Sequence, residues 1–155
     1  MGLRQCLGAV TRLASLAVNG ATVHDVLLDW DRVAPDAGPF FGVVGAAYGG
    51  PVVLTTVTVM PEAQGRCTVM AERITSAPAS CKSVAERELQ GYVGAPLLTQ
   101  MTVYTSARDA GATVVLVDAP PSCLVIRRHV QYRWEEAPAL PSATGSPGSL
   151  GSPGR

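Results

Sequence analysis

Lysine is almost missing from this chain: Lys82 is the only one, against eleven arginines. That bias follows GC-rich codon usage, and we expect a bacterial source. A surplus of charge is missing too, with 12 basic and 12 acidic residues in 155. A neutral chain has no basic excess with which to displace counterions from phosphates, so general nucleic-acid binding is not expected. No run of 18 consecutive apolar residues occurs, so no transmembrane segment is expected. Aromatics are restricted to two Phe, four Tyr and two Trp, too few to build a large aromatic ligand cage. Histidine is limited to His24 and His129, and the four cysteines form no C-x-x-C. Neither a metal site nor a cofactor is therefore expected.

What is present points to a packed domain. Hydrophobic residues make up 47% and charged residues 15%, a balance that disfavours disorder. Composition shifts after Trp134, where Ala, Pro, Ser and Gly take over and Gly-Ser-Pro recurs at 145–147 and 151–153. Such a segment cannot bury enough apolar surface to offset its ordering entropy. We therefore expect one globular domain over 1–134 and a disordered Gly/Ser/Pro/Ala-rich tail over 135–155. At the other end Arg12 interrupts the apolar residues after Cys6, so no signal peptide is expected in the chain as written. A chain whose true start lies further upstream would read the same.

Between these ends, turn signals separate apolar runs. Asn19-Gly20 sits between Leu13–Val18 and Thr22–Trp30, the signature of a hairpin with a type I′ turn. A helix over 3–18 competes, because Leu3, Leu7, Val10 and Ala14 approach helical spacing. Further strands are predicted at 40–48, 51–60, 67–75, 98–106, 112–118 and 123–134, most of them rich in β-branched residues. One helix is predicted from Ser80, with Ser83-Val-Ala-Glu86 or Ser80 as its cap and Cys81, Val84, Ala85, Leu89 and Tyr92 on one stripe. Gly91, Gly94 and Pro96 would end it. No repeat of 20–50 residues and no βαβ alternation is visible. The fold class expected is α+β, a predominantly antiparallel sheet of about eight strands with one amphipathic helix packed on it.

Cys67 opens a strand and Cys81 sits on the apolar stripe of the helix that follows, so a Cys67–Cys81 disulfide is the expected bridge. Closing so short a loop contributes on the order of 3 kcal/mol in the chain-entropy model. Cys123 is the alternative partner for Cys81. Either bridge implies an oxidising compartment, periplasmic or secreted; four reduced thiols would imply the cytoplasm.

Catalytic chemistry is thinly represented. There is no G-x-S-x-G and no phosphate-binding glycine loop. His24 shares a strand face with Val26, Leu28 and Trp30, the surroundings of a core-edge histidine. His129 and Cys123 lie roughly 20 Å apart along one strand, beyond contact. An enzyme is thus the minority reading. The most polar stretch is the last strand, where alternation groups Arg127, His129, Gln131 and Arg133 on one face. Arg127, His129 and Arg133 would suit a protein partner with an acidic surface, unless Asp25, Asp29 and Asp31 neutralise them. The function expected is non-enzymatic protein binding in a bacterial envelope, as an inhibitor, immunity-type protein or accessory subunit. The alternative is a small-molecule-binding protein or small hydrolase. Its pocket would lie between sheet and helix, lined by Trp30, Tyr92, Tyr104 and His24.

Overall fold

The computed structural model describes residues 4–135; the tail expected over 135–155 lies almost wholly outside them. Two helices and eight strands follow one another as α1 (Leu7–Val18), β1 (Val23–Trp30), β2 (Phe40–Ala47), β3 (Val52–Pro61), β4 (Cys67–Ala77), α2 (Cys81–Glu88), β5 (Val93–Leu98), β6 (Met101–Ser106), β7 (Asp109–Ala119) and β8 (Ser122–Trp134). All eight strands form one sheet in the order β1-β2-β3-β4-β8-β7-β6-β5, with every neighbouring pair antiparallel. The expected sheet is there, but two helices accompany it instead of one.

The extra helix, α1, replaces the predicted first hairpin. Leu7–Val18 is Ala- and Leu-rich, and these are strong helix formers. Asn-Gly serves the end of a helix as readily as a hairpin, because glycine supplies the left-handed residue after the last turn. Gly20 has φ +76°, and Ala21 N donates to Val18 O at 3.0 Å. At the other end, Asp36 Oδ1 accepts from the amides of Arg4 and Gln5 at 2.7 and 2.9 Å.

The eighth strand, β5, was hidden by Gly94 and Pro96, which read as a helix stop. An edge strand tolerates proline because one side of its backbone needs no ladder partner. Gly94 is required for a different reason: a Cβ there would lie 2.9 Å from the Tyr104 ring. For α2 the alternative cap proves correct, since Ser80 Oγ accepts from Ser83 N at 3.2 Å.

Register fixes which side chains share a face, because residues alternate across a strand. Phe40, Val44, Val57, Val59, Cys67 and Val69 fall on one face and pack with Cys6, Ala9 and Val10 of the α1 end. Val114, Leu116, Cys123 and Val125 fall on that same face and pack with Cys81, Val84 and Leu89 of the α2 end. Pairing of Ala77 with Cys123 and of Val69 with Gln131 ties the two sets together. Both helices therefore cover one face of the sheet, each over its own core.

Two disulfides staple these cores, Cys6–Cys67 and Cys81–Cys123. The expected Cys67–Cys81 bridge is not formed. Cys67 lies under α1 and Cys81 under α2, in separate cores, so closeness in sequence did not become closeness in space. Cys81 instead takes the alternative partner, Cys123, and Cys67 takes Cys6. Each bridge joins the start of a helix to the start of the fourth strand after it. The halves α1–β4 and α2–β8 thus repeat one topology about a pseudo-two-fold axis between β4 and β8. Such a unit is longer than the 20–50-residue period of repeat architectures.

Candidate functional site

Arg127 and His129 lie on the helix-bearing face, on the floor between the two cores. Arg127 is already partnered: its Nη2 donates to Glu88 Oε2, at the end of α2, over 2.6 Å. His129 Nδ1 stands 3.8 Å from Asp109 Oδ2. Arg73, also on this floor, places its guanidinium 5.8 Å from the Tyr48 ring centroid. Arg133 departs from the group. A bulge between the Val69–Gln131 and Cys67–Trp134 pairs puts it at φ +54° and returns Trp134 to the face of Gln131. The carboxylates expected to neutralise this strip do not reach it, because β1 lies four strands from β8. Asp25 and Asp29 also point to the opposite face. The strip is matched by Glu88 of α2 and Asp109 of the neighbouring β7 instead, which sequence reasoning missed because strand order and helix placement are not visible in the chain.

The pocket expected between sheet and helix is divided. Trp30 belongs to the α1 core, while Tyr92 and Tyr104 belong to the α2 core, so no single cavity collects them. A groove of about 360 Å³ does open between α1 and β1–β2. Leu7, Val10, Ala14, Val26, Leu28 and Phe40 line it, and His24 borders it. Mostly apolar walls with the hydroxyls of Thr11 and Ser15 and one imidazole suit an apolar ligand better than bond-breaking chemistry.

Among the described residues, the opposite face of the sheet carries no helix. Its register rows can be read strand by strand. One row runs Leu54, Ile74, Ile126, Val115 and Val103 across β3, β4, β8, β7 and β6. The next row outward holds Ser76, Leu124, Val117 and Met101. On the other side of centre lie Phe41, Thr58, Met70 and Val130. A polar row crosses between them: Thr56, Glu72, Arg128, Thr113 and Thr105. Glu72 and Arg128 are cross-strand partners with an ion-pair separation of 3.5 Å. Thr56 Oγ1 lies 3.5 Å from Glu72 Oε2.

An antiparallel sheet with one solvated face alternates apolar and polar residues. Leu124-Val-Ile126, Val114-Val-Leu-Val117 and Val52-Val-Leu54 do not alternate. Those runs are the sequence signal for this surface. They supported strands here, but their failure to alternate also marks two apolar faces.

Among the described residues, no group of three His, Cys, Asp or Glu side chains is placed to hold a metal. No described helix is long and apolar enough to cross a membrane. No known family model, curated protein or solved structure matches the chain.

Proposed function

We propose that the protein is a non-enzymatic protein-binding domain of a bacterial envelope, an inhibitor, immunity-type protein or accessory subunit, acting through the helix-free face of its sheet. The observation that carries this reading is the stretch of Val, Ile, Leu, Met and Phe across that face, with Phe41, Leu54 and Met60 exposed. Soluble monomers rarely leave a contiguous apolar patch of more than a few hundred Å² in water, and larger ones serve as contact surfaces. The basic strip around Arg127 is the weaker candidate, since its guanidinium is already held by Glu88. Two disulfides support the envelope, because such bonds persist in oxidising compartments.

Affinity capture from an envelope extract under non-reducing conditions tests the surface. The wild-type chain and an Arg127→Ala variant are expected to retain the same protein, while Ile126→Glu loses it. Capture unchanged by Ile126→Glu would overturn the reading. The groove under α1 supports a second one, carriage of a small apolar ligand. Native mass spectrometry of protein purified without detergent would then find a bound small molecule, and a bare chain would dismiss it.

A further inference from the structure

We infer that the helix-free face docks a second copy of this chain, the two sheets packing face to face about a two-fold axis parallel to β4 and β8. This rests on the reading of that face as a protein-binding surface and names its partner.

Size is the first support. Eight strands about 4.8 Å apart and strand lengths of about 25 Å give a face of roughly 800 Å². A stable interface buries about 800 Å² per partner, so one copy of the face against another reaches the standard size. Aligned packing of two twisted sheets about 10 Å apart is a common way to fill such a space.

The pattern on the face is the second support, and it selects the axis. Glu72 and Arg128 lie opposite one another on the two central strands, with four strands on either side of the line between them. An axis along the strands and midway between β4 and β8 carries each β4 over the second copy's β8 at the same height. Glu72 then meets Arg128 of the second copy, and Arg128 meets its Glu72. Ile74 falls over Ile126, Leu54 over Val115 and Thr56 over Thr113, so the polar row meets itself and the central apolar row meets itself, while Leu124 falls over Ser76. An axis across the strands would instead stack Glu72 on Glu72 and bring the Ile74 row onto Met70 and Val130. The usual crossing of about −30° between aligned sheets turns about the centre and barely displaces the charged pair.

Chemistry also disfavours the other occupants. A lipid surface would bury the Glu72–Arg128 pair, with Thr56 and Thr113 beside it, against no further polar group, and even a paired charge is costly to take out of water. Two copies set a second Glu72–Arg128 pair against the first, a four-charge cluster in the middle of the interface. Such a cluster fixes register more than it adds affinity.

Sedimentation equilibrium of the full chain under non-reducing conditions provides the test. The wild-type chain should sediment at twice the chain mass. Glu72→Arg alone sets like charges across the axis, and so does Arg128→Glu alone. Each should weaken association by at least about tenfold. An equimolar mixture of the two variants should regain the doubled mass, since one copy then offers two cations and the other two anions. Recovery in the mixture also shows that both variants fold. A monomeric wild-type chain, single variants as tight as wild type, or a mixture that stays monomeric would each overturn the inference. If the wild-type chain is monomeric yet Ile126→Glu still abolishes capture of another protein, the second copy is refuted and the protein-binding reading stands.

Discussion

Glycines show how a single hydrogen in place of a methyl is decided by neighbours. Gly45 lies within β2, and a Cβ there meets nothing within 4 Å. Gly111, in β7, is closed off: its Cβ would lie 2.6 Å from the Val130 carbonyl oxygen and 3.2 Å from His129 Cε1. Gly45→Ala should therefore stabilise the protein by about 0.5–1 kcal/mol, because alanine loses less backbone freedom on folding. Gly111→Ala should destabilise it by about 1–3 kcal/mol, since a backbone oxygen cannot move aside without disturbing the ladder. Denaturant midpoints measured with the disulfides intact check both signs, and equal shifts would contradict the packing at these positions. Neither contrast is legible in the sequence. A glycine inside a strand can mark a bulge or a close backbone approach, yet β2 keeps an unbroken register with β1 and β3 through both Gly42 and Gly45.

Elements were more legible than their partnerships. Seven strands and α2 stand out from β-branched runs, turn residues and the Ser80 cap, all of which are local signals. β5 did not, because Pro96 and Gly94 carry meanings that depend on lying at a sheet edge. The two edges, β1 and β5, are protected differently. Pro96 removes an amide from β5, while β1 carries Asp25 and Asp29 among exposed Val23, Val26 and Leu27. Asp25 Oδ1 also accepts from the amide of Val26 at 2.8 Å, occupying a donor with its own side chain. Charges on an edge strand oppose pairing with a further strand. Replacing both by Asp25→Val and Asp29→Val should therefore increase light scattering on incubation, with the onset advancing as concentration rises. A double variant that scatters no more than wild type would show that these carboxylates do not guard the edge. The candidate surface followed the same rule of legibility. Its apolar runs are printed in the sequence, but only the sheet order reveals that both helices lie on the other side.

Across the whole molecule, the two disulfides respect the boundary between the halves. Cys6 and Cys67 both precede the β4–α2 connection, and Cys81 and Cys123 both follow it. The chain itself, the β4–β8 ladder, paired from Cys67–Trp134 to Ala77–Cys123, and the packing of Trp134 on the α1 core join one half to the other. The Cys67–Cys81 bridge expected from sequence proximity would have crossed that boundary, so the two pairings make opposite predictions for a nicked protein. A protease site inserted between Ala77 and Ser80 lies in the connection, outside both closed loops. After cleavage the fragments should still elute together under native conditions, held by the central ladder and its flanking cores. In denaturant without reductant they should separate, because no covalent link spans the cut. A nick inside either loop, such as cleavage after Lys82, should leave fragments joined until reductant is added. Fragments that stay together in denaturant after the first cut would refute the observed pairing. Fragments that part already under native conditions would show that the ladder between β4 and β8 does not hold the halves together by itself.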